Sequence, residues 1–517
     1  MARRWIGLAL IAAASFGGGG AAARWTAARH AGERTREARL LARAVETIRR
    51  NYVDSLPPDS LYLSATEGLV RSLDDPYAEL LLADAYRRFN QQMAGTRIEL
   101  APPRMPREGG SVSGWGLGFT DPGQAIGPGD EILAVDGRST RGMTDADAAE
   151  LIAADTSRTV TLLVRPRGST TAVIRRVERT AVHIPAVSPG VMLAHGTGYV
   201  ALHIVTQAAA RELFDAITDL RRRGMHTLVL DLRRNPGGLI AQGVGIAELF
   251  LDPGDTIAVM RGRGRSPLTA HVARMPQPWP DMPLVLLVNR QTASSAEVIA
   301  AALQDHDRAI VVGTPTYGKG VIQTTFPLRQ DVAVKFTTAR WYAPSGRTIQ
   351  RSADSAAADT AVHRSVGGRP LASHRGIVPD VAVRPRWHGS AEAFYGRETR
   401  LAPNAYRASL SVAAAGIVES GGVRSRGFTV TPAMREAFWD ELVERRVPLR
   451  RWVFEGAHSV VDRELGYALA RQRWGEAAEI ERRAADDAAM RAALALTSRA
   501  RTMGALVAVA ASPLAAR

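Results

Sequence analysis

Apolar residues recur at three- and four-residue steps in ARLLARAVETIRRNYV (38–53) and again in SLYLSATEGLVRSL (60–73). That is the spacing of helices with one buried stripe. The turn-like DDPY (74–77) follows, and residues 24–90 read as helical. From 95 to 180 the period shortens: IGPGDEILAVDGRS (126–139) sets an apolar strand between a Pro-Gly-Asp turn and an Asp-Gly turn. TDADAAELIAA (144–154) reads as one short helix and TVTLLVRP (159–166) as another strand. From 197 to 385 strands and helices alternate. LVLDL leads through RRNPGG into LIAQGVGIAELF, LVLLV through NRQTAS into SAEVIAAALQDH, and AIVVG into GTPTYGKG and the strand-rich VAVKFTTARWYAPSGRTIQ. Continuous apolar strands with helices between them predict a mostly parallel sheet covered on both faces. Residues 386–517 read as helical and rich in alanine and arginine, and there is no internal repeat.

Composition narrows the chemistry. The 517 residues allow two to four domains, since one core rarely exceeds roughly 250–300 residues. With no cysteine, disulfides, thiolate catalysis and cysteine–zinc sites are excluded. The formal charge of +15 is almost wholly arginine, and Lys319 and Lys335 are the only lysines. Arginine stays protonated, whereas a buried lysine can become neutral, so a lysine between two glycines points to a task arginine cannot do. Compositional drift is the alternative. The arginines run from Arg3 to Arg517 without a basic block interleaved with aromatics, which argues against nucleic acid and leaves an anionic membrane surface as the charge-based alternative.

The amino terminus has the order of a signal peptide at 1–23: MARRW, an apolar stretch, then Ala21-Ala22-Ala23. An uncleaved membrane anchor is the alternative. Either implies export, to the periplasm or cell envelope. The closing MGALVAVAASPLAA (503–516) is too short to cross a bilayer.

Two readings compete at Lys319. Gly313 to Lys319 fits the phosphate-loop spacing G-x-x-x-x-G-K, but Gly320 stands where Ser or Thr would hold magnesium, and the β-branched VIQTTF follows instead of a helix. The other reading makes Lys319 a base for a serine at the strand-to-helix junction TASSAE, where the first helical N–H groups can face an oxyanion. Locally, Ser294 and Glu297 are also an S-x-x-E capping box that needs no chemistry. No histidine is required: none of the eleven sits in an H-E-x-x-H or G-x-S-x-G context, and His306 reads as a helix-end residue.

Taken together, NPGG after LVLDL, TASSAE after LVLLV and YGKGVIQT after AIVVG resemble, in order and spacing, the C-terminal processing peptidases, serine proteases with a Ser–Lys dyad. The resemblance spans about 50–385 and includes YVD, SLDDPY, WYAPSGRTIQ and GIVPD; the IGPGDEILAVDGRS segment resembles a PDZ domain of bacterial processing proteases. It implies an α/β fold: a crotonase-like protease core at 181–385 with an inserted, mostly β PDZ domain at 91–180, a helical N-terminal segment at 24–90 and a helical C-terminal extension at 386–517.

Carried over, the nucleophile is Ser294, the general base Lys319, and the group that orients the lysine Gln323. The oxyanion donors are backbone N–H groups of Gly237 or Gly238 and of Ser295. Ser295 as nucleophile is the alternative register. Gln291 and Ala296 depart from the small residue and the serine usual there. The peptide-binding loop is Gly95-Thr96-Arg97-Ile98, since Gly116-Leu-Gly-Phe119 sits too close to the PGD turn. The implied activity is an exported endopeptidase acting on protein or peptide substrates with free C-termini, recognised or gated by the PDZ domain, with no metal or cofactor. An inactive PDZ peptide-binding scaffold is the alternative. The C-terminal helices are assigned to an adaptor or to homo-oligomer formation.

Overall fold

The computed structural model describes residues 36–100, 131–141, 143, 148, 151–153, 157–166, 169–264, 268–351, 362–383 and 389–512. The signal-peptide or anchor segment, Gly116–Phe119 and the whole PGD turn lie outside them. The chain forms two compact units.

The smaller unit holds helices α1 (Arg36–Asn51) and α2 (Pro58–Arg71), strand β1 (Glu79–Leu82) and the tip of a later hairpin. Pro58 opens α2 at the first helical position, where a missing N–H costs nothing. The sequence pattern made 24–90 helical; β1 corrects that for ELLL. After α2 ends at Arg71, an Asx turn, with Asp75 Oδ1 accepting from Tyr77 N at 3.0 Å, leads into the strand. The strand's partner lies some 250 residues downstream, where local periodicity has no reach, and Lys335 Nζ meets Glu79 Oε2 at 2.7 Å there.

In the larger unit, α3 (Ala83–Ala94) ends at Gly95 and leads into an antiparallel sheet. Its strands are β2 (Thr96–Leu100), β3 (Glu131–Val135), β4 (Arg138–Ser139), β5 (Thr159–Arg165) and β6 (Val173–His183), in the order β2-β6-β5-β3-β4. Asp136 and Gly137 both have positive φ (46° and 80°), as the two-residue hairpin turn predicted from Asp-Gly demands. Arg179 pins this turn through Asp136 Oδ2 at 2.6 Å. Val135, Ile152, Val160, Leu162 and Val164 form the module's own small core.

The central sheet comprises β7 (Val191–Leu193), β8 (Thr197–Ala201), β9 (Thr227–Asp231), β12 (Leu284–Val288), β13 (Ile310–Gly313) and β18 (Val381–Ala382). Its order is β18-β13-β12-β9-β8-β7, parallel except for β7. The helices between are α4 (Ala209–Arg222), α5 (Ile240–Glu248) and α6 (Ser295–Asp305). A side wing carries β10 (Thr256–Gly262), β11 (Thr269–Val272), β14 (Val321–Arg329) and β15 (Val332–Tyr342), and β16 (His363–Arg364) pairs with β17 (Pro370–Leu371).

Period-two alternation sends Leu284, Leu286 and Val288 of β12 to one face and Val285 and Leu287 to the other. The first face packs on α4, α5 and α6; all eleven residues of α6 are buried.

The C-terminal region is helical as expected, but it divides. Helices α7 (Ser390–Glu398), α8 (Pro403–Glu419), α9 (Pro432–Glu444), α10 (Arg451–Gly456) and α11 (His458–Trp474) enclose their own aromatic core around Tyr406, Phe438 and Phe454. Helices α12 (Glu476–Asp486), α13 (Ala488–Thr497) and α14 (Met503–Ala510) instead cover the second sheet face, burying Ile480, Met490, Leu496 and Leu506 against Val229, Val285, Leu287 and Val312. Alanine-rich helix sequence does not reveal this, because the partner strands lie two to three hundred residues upstream. Among the described residues no helix is long and apolar enough to cross a membrane.

Leu496→Ala is expected to lower the unfolding free energy by about 2–4 kcal/mol in urea denaturation, the usual cost of emptying a buried leucine site. A loss below about 0.5 kcal/mol would mean α13 is not part of this core.

Candidate active site

Three loops leave the C-terminal ends of β9, β12 and β13, side by side in the sheet. The loop after β12 turns into α6 at Ser294, whose backbone has φ 57° and ψ −123°. L residues rarely adopt this conformation; it costs about 1–3 kcal/mol and collects at functional sites. Ser294 is partly exposed, whereas Ser295 is fully buried, its Cβ and carbonyl packed beside Gly243 of α5. The two adjacent serines therefore differ sharply in access.

Glu297, fully buried in the first turn of α6, ties two of these loops together. Its Oε2 accepts from Ser294 N at 2.9 Å and from Lys319 N at 2.9 Å. Its Oε1 accepts from Gly318 N at 2.7 Å and from Thr316 Oγ1 at 2.5 Å. Two bonds to one oxygen keep the backbone nitrogens of Ser294 and Lys319 within 5.8 Å, twice 2.9 Å. The capping-box glutamate thus does reach the Ser294 N–H, and the same carboxylate also holds the lysine loop. Burial holds the Glu297 carboxyl above its ordinary range, and the four donors offset only part of that rise.

Lys319 Nζ lies 2.5 Å from Gln323 Oε1, four residues on in the extended β14. The lysine loop is framed by the WYAPSGRTIQ stretch: Trp341 Nε1 donates to Lys319 O at 3.2 Å, and Gln350 Oε1 accepts from Gly320 N at 2.8 Å. A Cβ at Gly318 would lie 2.6 Å from Arg351 Cγ, and one at Gly320 3.0 Å from Gln350 N, so both glycines are needed for this close fit. Arg347, buried against Asp305 at 2.7 Å, anchors the stretch to the end of α6.

The loop after β9 brings Gly237 against the serines. An added Cβ would sit 2.8 Å from Ser294 Cβ and 3.0 Å from Ser295 N. Asn235 organises it: Oδ1 accepts from Gly237 N at 2.8 Å, Nδ2 donates to Leu202 O at 2.8 Å, and its carbonyl accepts from Ala293 N at 2.9 Å. Among the described residues the Gly238 and Ser295 N–H groups have no acceptor.

The sequence model described as Peptidase family S41 matches residues 196–362, which contain all three loops. A carboxyl-terminal-processing protease of Picosynechococcus sp. is 31% identical over 307 residues, 57% of this chain and 71% of that protein. A probable CtpA-like serine protease of Staphylococcus epidermidis is 28% identical over 307 residues, 59% of this chain and 61% of that protein. The chain belongs to peptidase family S41. Among solved structures, a photosystem II D1 C-terminal processing protease aligns at 26% identity with a TM-score of 0.38, covering 68% of this chain and 94% of that one. The chain spans about three fifths of the staphylococcal relative.

In this S41 chain, Gly95 packs beside Thr206, the neighbour of Val205, whose N–H donates to Gly237 O of the β9 loop at 2.9 Å. Gly95 ends α3 in the left-handed region (φ 68°), its N–H occupied by Gln92 O, and Thr96–Ile98 run in β2 beside β6. Asn235, Trp341 and Gln350 were not read as site residues. All three lie inside the quoted motifs, but their part is to hydrogen-bond loops distant in sequence. Glu297 was visible only as half of a helix cap.

Two substitutions probe the loop geometry. Ser294→Gly is expected to be about 1 kcal/mol more stable than Ser294→Ala in urea unfolding, because glycine relieves the positive φ; equal stability would deny the strain. Glu297→Gln sets an NH2 group against two N–H or O–H donors and is expected to cost about 2–4 kcal/mol, with a neutral result showing that the carboxylate is not the clamp.

Proposed function

We propose that this chain is a serine endopeptidase in which Ser294 attacks the scissile carbonyl and Lys319 takes its proton. The observation that carries the reading is the shared Glu297 oxygen, which holds the strained Ser294 and the loop of Lys319 within one short span. A serine hydroxyl is a weak nucleophile until a base removes its proton, and an amine does so only when neutral. Gln323 suits that need: an amide oxygen at 2.5 Å orients the amine without the charge by which a carboxylate would keep it protonated. Lys319 then passes the proton to the leaving amine, and water hydrolyses the acyl-enzyme. The oxyanion would rest on the Gly238 and Ser295 N–H groups, while the Gly237 N–H stays with Asn235 Oδ1. Ser295 is a poor rival nucleophile, being buried beneath α5.

The antiparallel module of β2 to β6 is proposed to be PDZ-like, inserted in a crotonase-like core. β2, which carries Thr96, Arg97 and Ile98, stands at the end of the sheet order, where a peptide's free C-terminus can add as a further strand. Substrates would be exported or envelope proteins cut near or from their C-termini, consistent with the charge and small-residue order of residues 1–23. No specific observation favours the inactive-scaffold alternative.

The test is turnover of unfolded casein and of a peptide with an apolar C-terminus, offered as free acid and as amide. Ser294→Ala and Lys319→Ala are expected to lose at least about a thousand-fold in kcat. Gln323→Ala should lose about ten- to a hundred-fold, and Ser295→Ala should stay active. Full turnover in folded Ser294→Ala overturns the dyad. Equal rates for acid and amide overturn C-terminal recognition by the module.

A further inference from the structure

The last three helices have no part in the dyad, yet one of their residues reaches the loop that bears the proposed oxyanion donor. Arg233 opens that loop. Its Nη2 is 2.7 Å from Asp231 Oδ2 at the end of β9, and its Nη1 is 2.5 Å from Asp487 Oδ2 at the start of α13. Asp231 Oδ2 also accepts from Tyr199 OH at 2.8 Å, so this end of the sheet is a closed polar network. Arg234, next in the chain, has a left-handed φ of 65°, which needs support from both sides. Arg234 N donates to Asn289 Oδ1 at 3.1 Å, and Leu232 N donates to Leu287 O at 2.8 Å just before it; the guanidinium of Arg233 adds a tie from this loop to the start of α13.

The two oxygens of Asp487 have separate tasks. Oδ1 caps α13, accepting from Ala489 N at 2.8 Å and Met490 N at 3.0 Å, while Oδ2 faces Arg233. Burial alone would raise this carboxyl, but Arg233 and the two helix amides together hold it below its ordinary value.

We infer that Asp487 is a positioning residue for the Arg233–Gly238 loop, so that the C-terminal helices belong to the catalytic device as well as to the core. This rests on the protease reading above. The separation of tasks supplies the test. Asp487→Asn keeps the cap, since asparagine caps as well as aspartate, but sets an NH2 group against the guanidinium. Loss of one charge-assisted bond should lower kcat about ten-fold with KM within about two-fold, and the thermal midpoint should fall by only a few degrees.

Amide hydrogen exchange gives a readout that needs no cleavage. In Asp487→Asn, the segment 233–239 should exchange about ten-fold faster while 488–497 is unchanged. The inference is overturned if 233–239 is unaffected, if α13 loosens equally, or if the loop loosens and kcat does not fall. Should the unaltered protein and Ser294→Ala both fail to cleave, the protease reading falls, and unchanged exchange in 233–239 would overturn the brace independently.

Discussion

A single buried carboxylate organises the functional end of this protein. Glu297 sits where water cannot reach it, so every lone pair must find a donor inside the protein. The four donors it finds come from the turn at Ser294 and from Thr316, Gly318 and Lys319, so the strain of one loop and the path of another are settled together. Removing one donor would leave a carboxylate lone pair unsatisfied in a low-dielectric interior, and removing the carboxylate would strand all four donors.

That carboxylate can be buried because α6 is. A helix covered on all sides needs a sheet beneath it, helices α4 and α5 beside it, and small residues where backbones meet, as at Gly243 against Ser295. The sheet in turn needs its other face covered, and α12, α13 and α14 supply that cover. The site and the C-terminal helices are therefore parts of one packing problem: the apolar face that burying Ser295 and Glu297 requires cannot remain half open to water.

The scarcity of lysine had a physical meaning that differs between its two instances. Lys335 makes an ion pair with Glu79, a role arginine could fill. Lys319 meets the amide of Gln323, between glycines that admit no side chain. Under the proposed mechanism only the second place asks for an amine that can lose its proton.

Much of this was legible along the chain. Strand–loop–helix alternation from 197 to 385 and the Asp-Gly hairpin follow from local rules of side-chain period and turn chemistry. The candidate serine and lysine came instead from the resemblance of three loop motifs taken together, since local rules alone allowed a mere helix cap at Ser294. What the sequence could not yield was whatever depends on two distant segments meeting. It left Ser294 and Ser295 as alternatives, because only packing beneath α5 makes one accessible and the other not. It made β1 helical, because its partner strand is far downstream. It read Glu297 as a cap, and it left Asp487 in an anonymous alanine–arginine stretch. Local free energies select turns, caps and periods and are written in neighbouring residues. Burial, shared hydrogen bonds and access to solvent exist only after the chain has folded, so the tertiary structure alone decided them.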